Sequence, residues 1–179
     1  ITREKDRISL AQGACDLLTE TRGYDTAWIA LFDEQGEAVE VVHSGLDGQL
    51  ADIEQALLAD ESPPCMEKAL KEQRVVTVTD DEHCSDSCAI RDTAARGAAM
   101  CTGLQHEEHL YGFMCVCLDA SFVQHEQETS LFEEVAGDIA FAFHSIELEE
   151  RRRLAQESLM TREEQLRLFV EHTPAAVAM

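Results

Sequence analysis

Apolar residues recur along the chain with two different periods, and these periods predict the secondary structure. A spacing of three to four residues, as in Ile8, Ala11, Cys15 and Leu18, is typical of one face of a helix. Alternating or β-branched runs indicate strands. The predicted helices cover residues 1–21, 49–60 and 65–72 and a long stretch that begins at Glu126. The predicted strands cover residues 27–32, 38–43, 74–78, 97–106 and 110–119.

The last two strands give the strongest hairpin signal. If residues 107–108 form a two-residue turn, His106 faces His109 and Cys101 lies opposite Met114. At such a turn the two imidazoles are expected to be exposed, and capture of an ion is the alternative.

The same periodicities predict where three further cysteines lie. Strand alternation places Cys115 and Cys117 on one face of the sheet and Cys101 on the other. Cys115 and Cys117 are expected to be small apolar filling of the core, and Cys15 lies on the apolar stripe of the first helix.

The long final helix carries two apolar stripes. The first stripe is expected to be the seam of a homodimer, and it consists of Phe132, Val135, Ile139, Ala142 and Ile146. The second stripe lies in a heavily charged segment and has heptad-like spacing, with Ala155, Leu159, Arg162, Leu166 and Phe169. Such a pattern is typical of a helix that leaves its domain and pairs with a partner helix, and a single solvated helix is the alternative.

Composition narrows the classes of function. The chain has 179 residues and a formal net charge of −22, so its surface repels nucleic acid and anionic lipid. No apolar run approaches the ~20 residues of a membrane span. The charged N-terminus does not resemble a signal peptide, and the seven cysteines are an odd number. Both observations predict a reducing, cytoplasmic compartment rather than a disulfide framework.

Four of the cysteines are candidates for binding or sensing: Cys65, Cys84, Cys88 and Cys101. Four thiolates suit Zn²⁺ or an iron–sulfur centre, and His83 is either a fifth candidate ligand or a solvated loop residue. The alternatives are haem with a cysteine or histidine contact, a reversible thiol–disulfide switch, or no cofactor at all. The acidic run at residues 80–82 would raise the pKa of neighbouring thiols, which argues against a reactive thiolate in that loop without a metal ion.

The order of elements resembles that of the GAF domain. The segment Leu110-Tyr111-Gly112-Phe113-Met114-Cys115-Val116-Cys117 is similar to the penultimate strand of that family, Phe122 follows it, and residues 131–140 are similar to the closing helix. The resemblance implies an α+β fold. Its antiparallel sheet has five or six strands, the terminal helices pack together on one face, and a ligand pocket lies on the other. The segments between residues 49 and 95 are expected to cover that pocket.

Two further resemblances concern the context. Residues 162–174 resemble the lead-in to a PAS domain, which implies a GAF-like domain over residues 1–149, a helical linker over 150–172 and a truncated PAS start over 173–179. The parent would then be a multidomain signalling protein, usually a sensor histidine kinase, or alternatively a cyclic-di-GMP enzyme. The Pro64-Cys65 helix and the later cysteine pair resemble a cysteine-bearing GAF subgroup, although three residues separate Cys84 from Cys88 where two are more usual.

The sequence therefore predicts a sensory domain. A small molecule or a redox change in a pocket lined by the four candidate cysteines would shift the terminal helices of a homodimer and so act on linked PAS and output domains. Two other functions compete with this one: a passive dimerisation and linker module without a cofactor, and a methionine sulfoxide reductase of the GAF type. No phosphate-binding loop, nucleophile elbow or kinase signature is present, so this segment is expected not to be an enzyme.

Overall fold

The fold is seen in a computed structural model that describes residues 2–45, 55, 57, 62–79, 97–123 and 125–172. The predicted helix over 49–60, the polar loop after residue 79 and the PAS start over 173–179 therefore lie largely or wholly outside the described residues. The elements in chain order are α1 (Thr2–Arg22), β1 (Thr26–Phe32), β2 (Ala38–Ser44), α2 (Pro64–Glu72), β3 (Val76–Thr79), β4 (Gly97–His106), β5 (His109–Asp119), α3 (Ala120–Val123) and α4 (Glu126–His172).

The described strands form one antiparallel sheet in the order β2-β1-β5-β4-β3. The β1–β2 pair forms one edge and the β3–β4 pair the other, and β5 joins the two halves at the centre through its ladder with β1. The predicted two-residue turn is confirmed, because His106 is the Cα partner of His109. This sheet with flanking helices is the α+β architecture that the sequence predicts.

A register shift in the β4–β5 hairpin overturns one prediction. Next to the turn Gln105 pairs with Leu110, but Leu104 pairs with Gly112, so Tyr111 is an extra residue on β5. Such a β-bulge moves every later pair by one position and reverses which side chains share a face. Cys101 therefore lies opposite Cys115 rather than opposite Met114.

The two faces of the sheet bury separate apolar clusters. On one face the terminal helices α1 and α4 pack together over the sheet, as predicted, and Cys15, Phe132 and Phe143 are buried there. On the other face α2 covers a second cluster, which includes Trp28, Phe113 and four cysteines: Cys65, Cys101, Cys115 and Cys117. The expected separation of Cys101 from Cys115 and Cys117 is thus wrong, because the bulge brings all three to the same side.

The first apolar stripe of the long helix does not form a dimer seam. Phe132 is 1% exposed and Ile139 is 7% exposed, and both pack against the sheet of their own chain. The prediction failed because a stripe that serves a domain core and one that serves a partner have the same helical spacing. Beyond residue 147, α4 continues as a single helix whose side chains are nearly all exposed. No helix in the described part of the chain is both long and apolar enough to cross a membrane.

Candidate functional site

Three sulfur atoms lie side by side in the core beneath α2. Cys101 is in the middle: its Sγ is 2.9 Å from the Sγ of Cys115, and Cys65 lies in the same buried cluster and interacts with it. Cys65 is 7% exposed, Cys101 is fully buried and Cys115 is 1% exposed. We call these three residues the thiol cluster. A sulfur–sulfur separation of 2.9 Å exceeds the ~2.05 Å of a disulfide bond, so Cys101 and Cys115 are in non-bonded contact.

Three different elements hold the thiol cluster together. Cys101 on β4 and Cys115 on β5 are directly opposite in the ladder, so the sheet fixes their separation. Cys65 belongs to α2, which begins at Pro64 directly after Pro63. Proline is well tolerated at the first helical position because its missing N–H would have no helical partner there. The first turn of α2 thus brings the Cys65 thiol to the sheet.

The thiols of the two core clusters differ in their ionisation. The hydrogen bond from Cys101 lowers the pKa of Cys65, backbone N–H groups at the start of α2 act in the same direction, and burial opposes them. Hydrogen bonds with Cys115 and Cys65, together with burial, raise the pKa of Cys101. On the opposite face, burial and the adjacent Asp16 raise the pKa of Cys15 to about 12. Of Cys65 and Cys101, Cys65 is therefore the one that favours the thiolate.

Two buried polar atoms lie on the same side of the sheet as the thiol cluster. The indole Nε1 of Trp28 and the hydroxyl of Thr26 are buried and have no hydrogen-bond partner within the described part of the chain. The two residues are two positions apart on β1 and so share a face of the sheet, where Trp28 pairs with Cys115 and Thr26 with Cys117. Because an unpaired buried polar group costs roughly 1–3 kcal/mol, these two atoms favour a site where a polar group can be accommodated.

Only some of the predicted site residues belong to the part of the chain that the structure describes. The structure brings Cys65 and Cys101 together, while His83, Cys84 and Cys88 lie outside the described residues. Among the residues that the structure describes, no three His, Cys, Asp or Glu side chains are arranged to hold a metal ion. Sequence reasoning missed Cys115 as a member of the site. The glycine that follows the extra residue of the bulge, Gly112, was the signal that could have indicated the shifted register.

A second group of polar side chains connects the sheet to α4, and we call it the hairpin–helix network. The hydroxyl of Tyr111 on β5 donates to Glu147 Oε2 at 3.1 Å and lies 2.9 Å from Nδ1 of His144. Glu147 is only 3% exposed, and Arg151 donates to its other oxygen at 2.6 Å. Burial, followed by the charge of Glu147 and its hydrogen bond, raises the pKa of Tyr111 to about 12.

The turn of the hairpin extends this network. The ring centroid of His106 is 4.8 Å from that of His144 on α4, and the ring of His109 is 4.6 Å from that of Tyr111. A cavity of about 380 Å³ lies between the turn and α4, lined by all four of these residues and by Glu147. The histidines of the turn are therefore half-buried against α4 instead of fully exposed.

A second cavity, of about 490 Å³, lies beside the same turn, where α2, β4 and α4 meet. None of the cysteines that the structure describes lines either cavity. The thiol cluster is thus a packed site beneath α2 at the centre of β4, and the two cavities lie between it and the β4–β5 turn or at the turn itself. Input at the thiols and contacts with α4 therefore involve the same two strands, β4 and β5.

These features define a class of protein: an α+β domain in which the first and last helices share one face of an antiparallel sheet and a buried site lies on the other. The family model described as "GAF domain" matches residues 4–144, and the chain belongs to this family. The resemblance found in the sequence is thereby confirmed. Members of the family include sensory ligand-binding domains. Among curated protein sequences, none matches the chain.

Solved structures with the same fold come from several organisms. The chain is 21% identical to a domain of a putative two-component sensor histidine kinase from Sinorhizobium meliloti 1021, with a TM-score of 0.59 over 81% of this chain and 95% of that one. It is 16% identical to the PixJ GAF domain of Thermosynechococcus elongatus in its blue-light absorbing form, with a TM-score of 0.62 over 88% and 96%. It is 12% identical to the second GAF domain of DevS from Mycobacterium smegmatis, with a TM-score of 0.57 over 82% and 99%. At these identities the comparison shows the fold alone.

Proposed function

We propose that this domain is a redox-sensitive sensory module of a signalling protein, with input at the thiol cluster and output through α4. The observation that carries the proposal is the grouping of three cysteines from three elements in one buried cluster, in which the sulfur atoms of Cys101 and Cys115 are 2.9 Å apart. A core can be filled by small aliphatic residues, so packing alone gives no reason to place three thiols in contact. Thiols in contact can form a disulfide, and that change would pull on α2 or on the β4–β5 ladder.

The same site offers hydrogen-bond donors to a small molecule. Trp28 Nε1 and the hydroxyl of Thr26 are buried beside the thiol cluster without partners in the described ranges. A ligand with a hydrogen-bond acceptor would satisfy the indole N–H. Zn²⁺ or an iron–sulfur centre held by Cys65, Cys84, Cys88 and Cys101, with His83 as a further ligand, remains the metal-binding version of this proposal.

The hairpin–helix network supports α4 as the route of output. Cys115 and Tyr111 lie four residues apart on β5, with Cys115 on the face covered by α2 and Tyr111 on the face that packs against α4, so a displacement of this strand at the thiols reaches the Tyr111 hydroxyl through the strand itself. Tyr111 in turn contacts two residues of α4, His144 and Glu147. A signal of this kind requires that the oxidised or liganded state favour one arrangement of α4, typically by about 1–3 kcal/mol.

The exposed half of α4 supports a homodimer. Large apolar side chains continue along one face at heptad spacing from the domain into the extension, and Arg162 is the polar interruption. This face, which we call the α4 seam, consists of Phe141, Leu148, Ala155, Leu159, Arg162, Leu166 and Phe169. Its members Leu159, Leu166 and Phe169 are 62%, 66% and 72% exposed, which is unfavourable for a helix alone in water. A second copy presents the same stripe and would cover it.

The context follows from these two proposals. Residues 150–172 would act as a helical linker between the GAF domain and a PAS domain that starts within residues 173–179, and the parent would be a sensor histidine kinase or a cyclic-di-GMP enzyme. The segment itself would regulate rather than catalyse, which sets aside the methionine sulfoxide reductase. The solved domain of a putative sensor histidine kinase with this fold supports a signalling parent.

The test uses the single tryptophan as a reporter of the site and hydrogen exchange as a reporter of α4. Trp28 lies in the same apolar cluster as the thiols, with its ring 5.3 Å from that of Phe113. On oxidation of the reduced chain we expect the fluorescence of Trp28 and the exchange of the α4 amides after residue 140 to change together. The Cys101→Ser variant should lose both changes, and Cys15→Ser on the opposite face should keep both.

A coupling variant completes the experiment. Tyr111→Phe removes only the hydroxyl that contacts α4, so the change at Trp28 should persist while the change in α4 becomes smaller; Ser145→Ala, on the exposed side of the same helix, should keep both. An α4 that is indifferent to the state of the thiols in the unmodified chain would contradict the sensory proposal. Metal found in anaerobically purified protein would instead support the metal-binding version.

A passive dimerisation module is the second candidate, and the α4 seam is the observation that favours it. That function requires the exposed apolar stripe but no change at the thiols. Serine at Cys65 and Cys101 together would then leave signalling by the intact parent unaltered, whereas the sensory proposal requires that the double variant lose its response.

A further inference from the structure

The three members of the thiol cluster differ in position, although they are in contact. Cys65 is the second residue of α2, at the positive end of the helix dipole; no side chain caps this helix start, and the amides of Met66 and Glu67 donate to the carbonyl of Pro63. Cys101 and Cys115 lie within β4 and β5, where the ladder uses the backbone groups. A negative charge on sulfur is therefore stabilised at Cys65 by the helix terminus and by the neighbouring thiol, and a thiolate is the reactive form of cysteine.

Exposure to solvent also distinguishes Cys65 from the other two thiols. Cys65 is the most exposed of the three at 7%, while Cys101 has no exposed surface. A small oxidant that approaches through the α2 side thus meets the Cys65 sulfur first. Cys101 lies beside Cys65 in the same buried cluster and can attack the oxidised sulfur from β4.

On the basis of the redox function proposed above, we propose that Cys65 is the thiol that reacts with a hydroperoxide and that Cys101 is the thiol that resolves the product into a Cys65–Cys101 disulfide. Cys115 holds Cys101 from the other side through the 2.9 Å contact. The oxidant class is a hydroperoxide because the site is packed and admits only a small, uncharged reagent, and because the formal net charge of −22 repels anionic disulfides.

The reaction balances in two steps. In the first, the Cys65 thiolate attacks the terminal oxygen of the hydroperoxide, the O–O bond breaks, and the products are a Cys65 sulfenic acid and an alkoxide or hydroxide that takes up a proton. In the second, the Cys101 sulfur attacks the Cys65 sulfur, the S–O bond breaks, and the Cys101 proton leaves with the hydroxide as water. Two thiols are oxidised by two electrons for each hydroperoxide reduced, and a dithiol reductant reverses the step by exchange.

The bond would tie the start of α2 to the centre of β4. Before oxidation α2 is joined to the sheet by packing and hydrogen bonds, and after it a covalent link fixes the helix at its first turn. This change is transmitted to β5 because β4 and β5 are paired over ten positions.

The experiment maps disulfides in the whole 179-residue chain, reduced anaerobically and then treated with one equivalent of hydrogen peroxide. Remaining thiols are alkylated, and peptides are identified by mass spectrometry. We expect loss of two thiols per peroxide and a peptide pair joined through Cys65 and Cys101. The unmodified chain suffices for this result, so it does not depend on the folding of any variant.

Two variants and a control assign the roles. Cys65→Ser should slow thiol loss at least about tenfold. Cys101→Ser should accumulate a sulfenic acid at Cys65, which dimedone labels. Cys15→Ser, on the opposite face of the sheet, should behave as the unmodified chain does.

The outcomes separate this inference from the function on which it rests. A first disulfide between Cys101 and Cys115, or one that joins Cys65 to Cys84 or Cys88, would overturn the inference, and so would dimedone labelling at another cysteine. If such a bond forms and α4 responds, redox sensing stands without this chemistry. If the Cys65–Cys101 bond forms and α4 does not respond, the chemistry stands and the sensory proposal fails.

Discussion

Cys15 and Cys65 show how far the fold separates residues of one type. Both are buried, yet Cys15 lies in the middle of α1 beside the carboxylate of Asp16, and Cys65 lies at the start of α2 next to another thiol. Burial and the like charge disfavour a thiolate at Cys15, whereas hydrogen-bond donors favour one at Cys65. The chemistry of each cysteine is therefore set by its position in an element and not by burial alone.

The difference predicts a pH dependence of alkylation. Only the thiolate reacts, so the rate at Cys65 should fall as the pH drops through a midpoint below 9.0, the ordinary value for a thiol. The rate at Cys15 should still be rising at pH 10, because its pKa is about 12. Timed iodoacetamide labelling with peptide analysis between pH 6 and 10 checks this, and equal midpoints for the two cysteines would contradict it.

The same shift determines how Cys65 contributes to stability. A pKa lowered by folding stabilises the folded state above the unfolded value and loses that contribution as the pH falls through the folded value. The contribution of Cys65 is therefore fully present above the ordinary pKa of a thiol and is lost as the pH falls through the lowered pKa of the folded state.

The bulge in the β4–β5 hairpin is the feature that assembles the site at the level of elements. Without the extra residue at Tyr111, strand alternation would put Cys101 and Cys115 on opposite faces, as the periodicity predicted. The sequence predicted both strands and the turn between them, because those depend on local patterns. It did not predict the register, because a one-residue shift depends on how the whole ladder packs.

Gly112 makes the central ladder possible next to that bulge. A Cβ at this position would overlap the backbone carbonyl oxygen of Ala30 on the neighbouring strand β1. The backbone cannot move away without breaking the β1–β5 pairing, where Gly112 is the partner of Leu31. The glycine is therefore required by a close approach of two strands.

A pair of alanine substitutions tests this requirement. Gly112→Ala should lower the free energy of unfolding by at least about 2 kcal/mol, since overpacking against fixed backbone is strongly destabilising. Gly137→Ala, at an exposed helical position with no atom within 4 Å of the new Cβ, should raise it by about 0.5–1 kcal/mol. Urea denaturation measures both, and equal effects of the two substitutions would show that the contact with Ala30 is relieved at little expense.

At the level of the whole molecule, α4 has two parts with different environments. Up to Glu147 the helix packs on the sheet beside α1, and beyond it the side chains are mostly solvent-exposed. The sequence predicted the order of elements and the long helix, because each depends on periodicity within one segment, and the resemblance of that order to the GAF domain implied the fold class. The first stripe, which the sequence analysis expected to be a dimer seam, has Phe132 and Ile139 buried against the chain's own sheet, because spacing alone does not distinguish such a face from one left for a partner.

The α4 seam predicts the oligomeric state. The chain should be a dimer in solution, and the double substitution Leu159→Glu with Leu166→Glu should weaken dimerisation at least about 100-fold, because it places charges in an apolar seam. Leu154→Glu with Met160→Glu is the matched control, since both residues are exposed and lie off the seam. Sedimentation velocity measures the effect. A monomeric unmodified chain, or equal loss with the control, would contradict the proposed seam.

The uninterrupted path of α4 from Glu126 to His172 sets a rule for its length. Each residue inserted into or removed from the stretch after Glu147 turns everything downstream by about 100° relative to the sheet. A deletion of one residue there would leave the GAF domain intact but rotate the downstream segment away from its normal orientation. A deletion of seven residues would restore that orientation. Natural variants of this chain should therefore differ in the length of this stretch by multiples of seven.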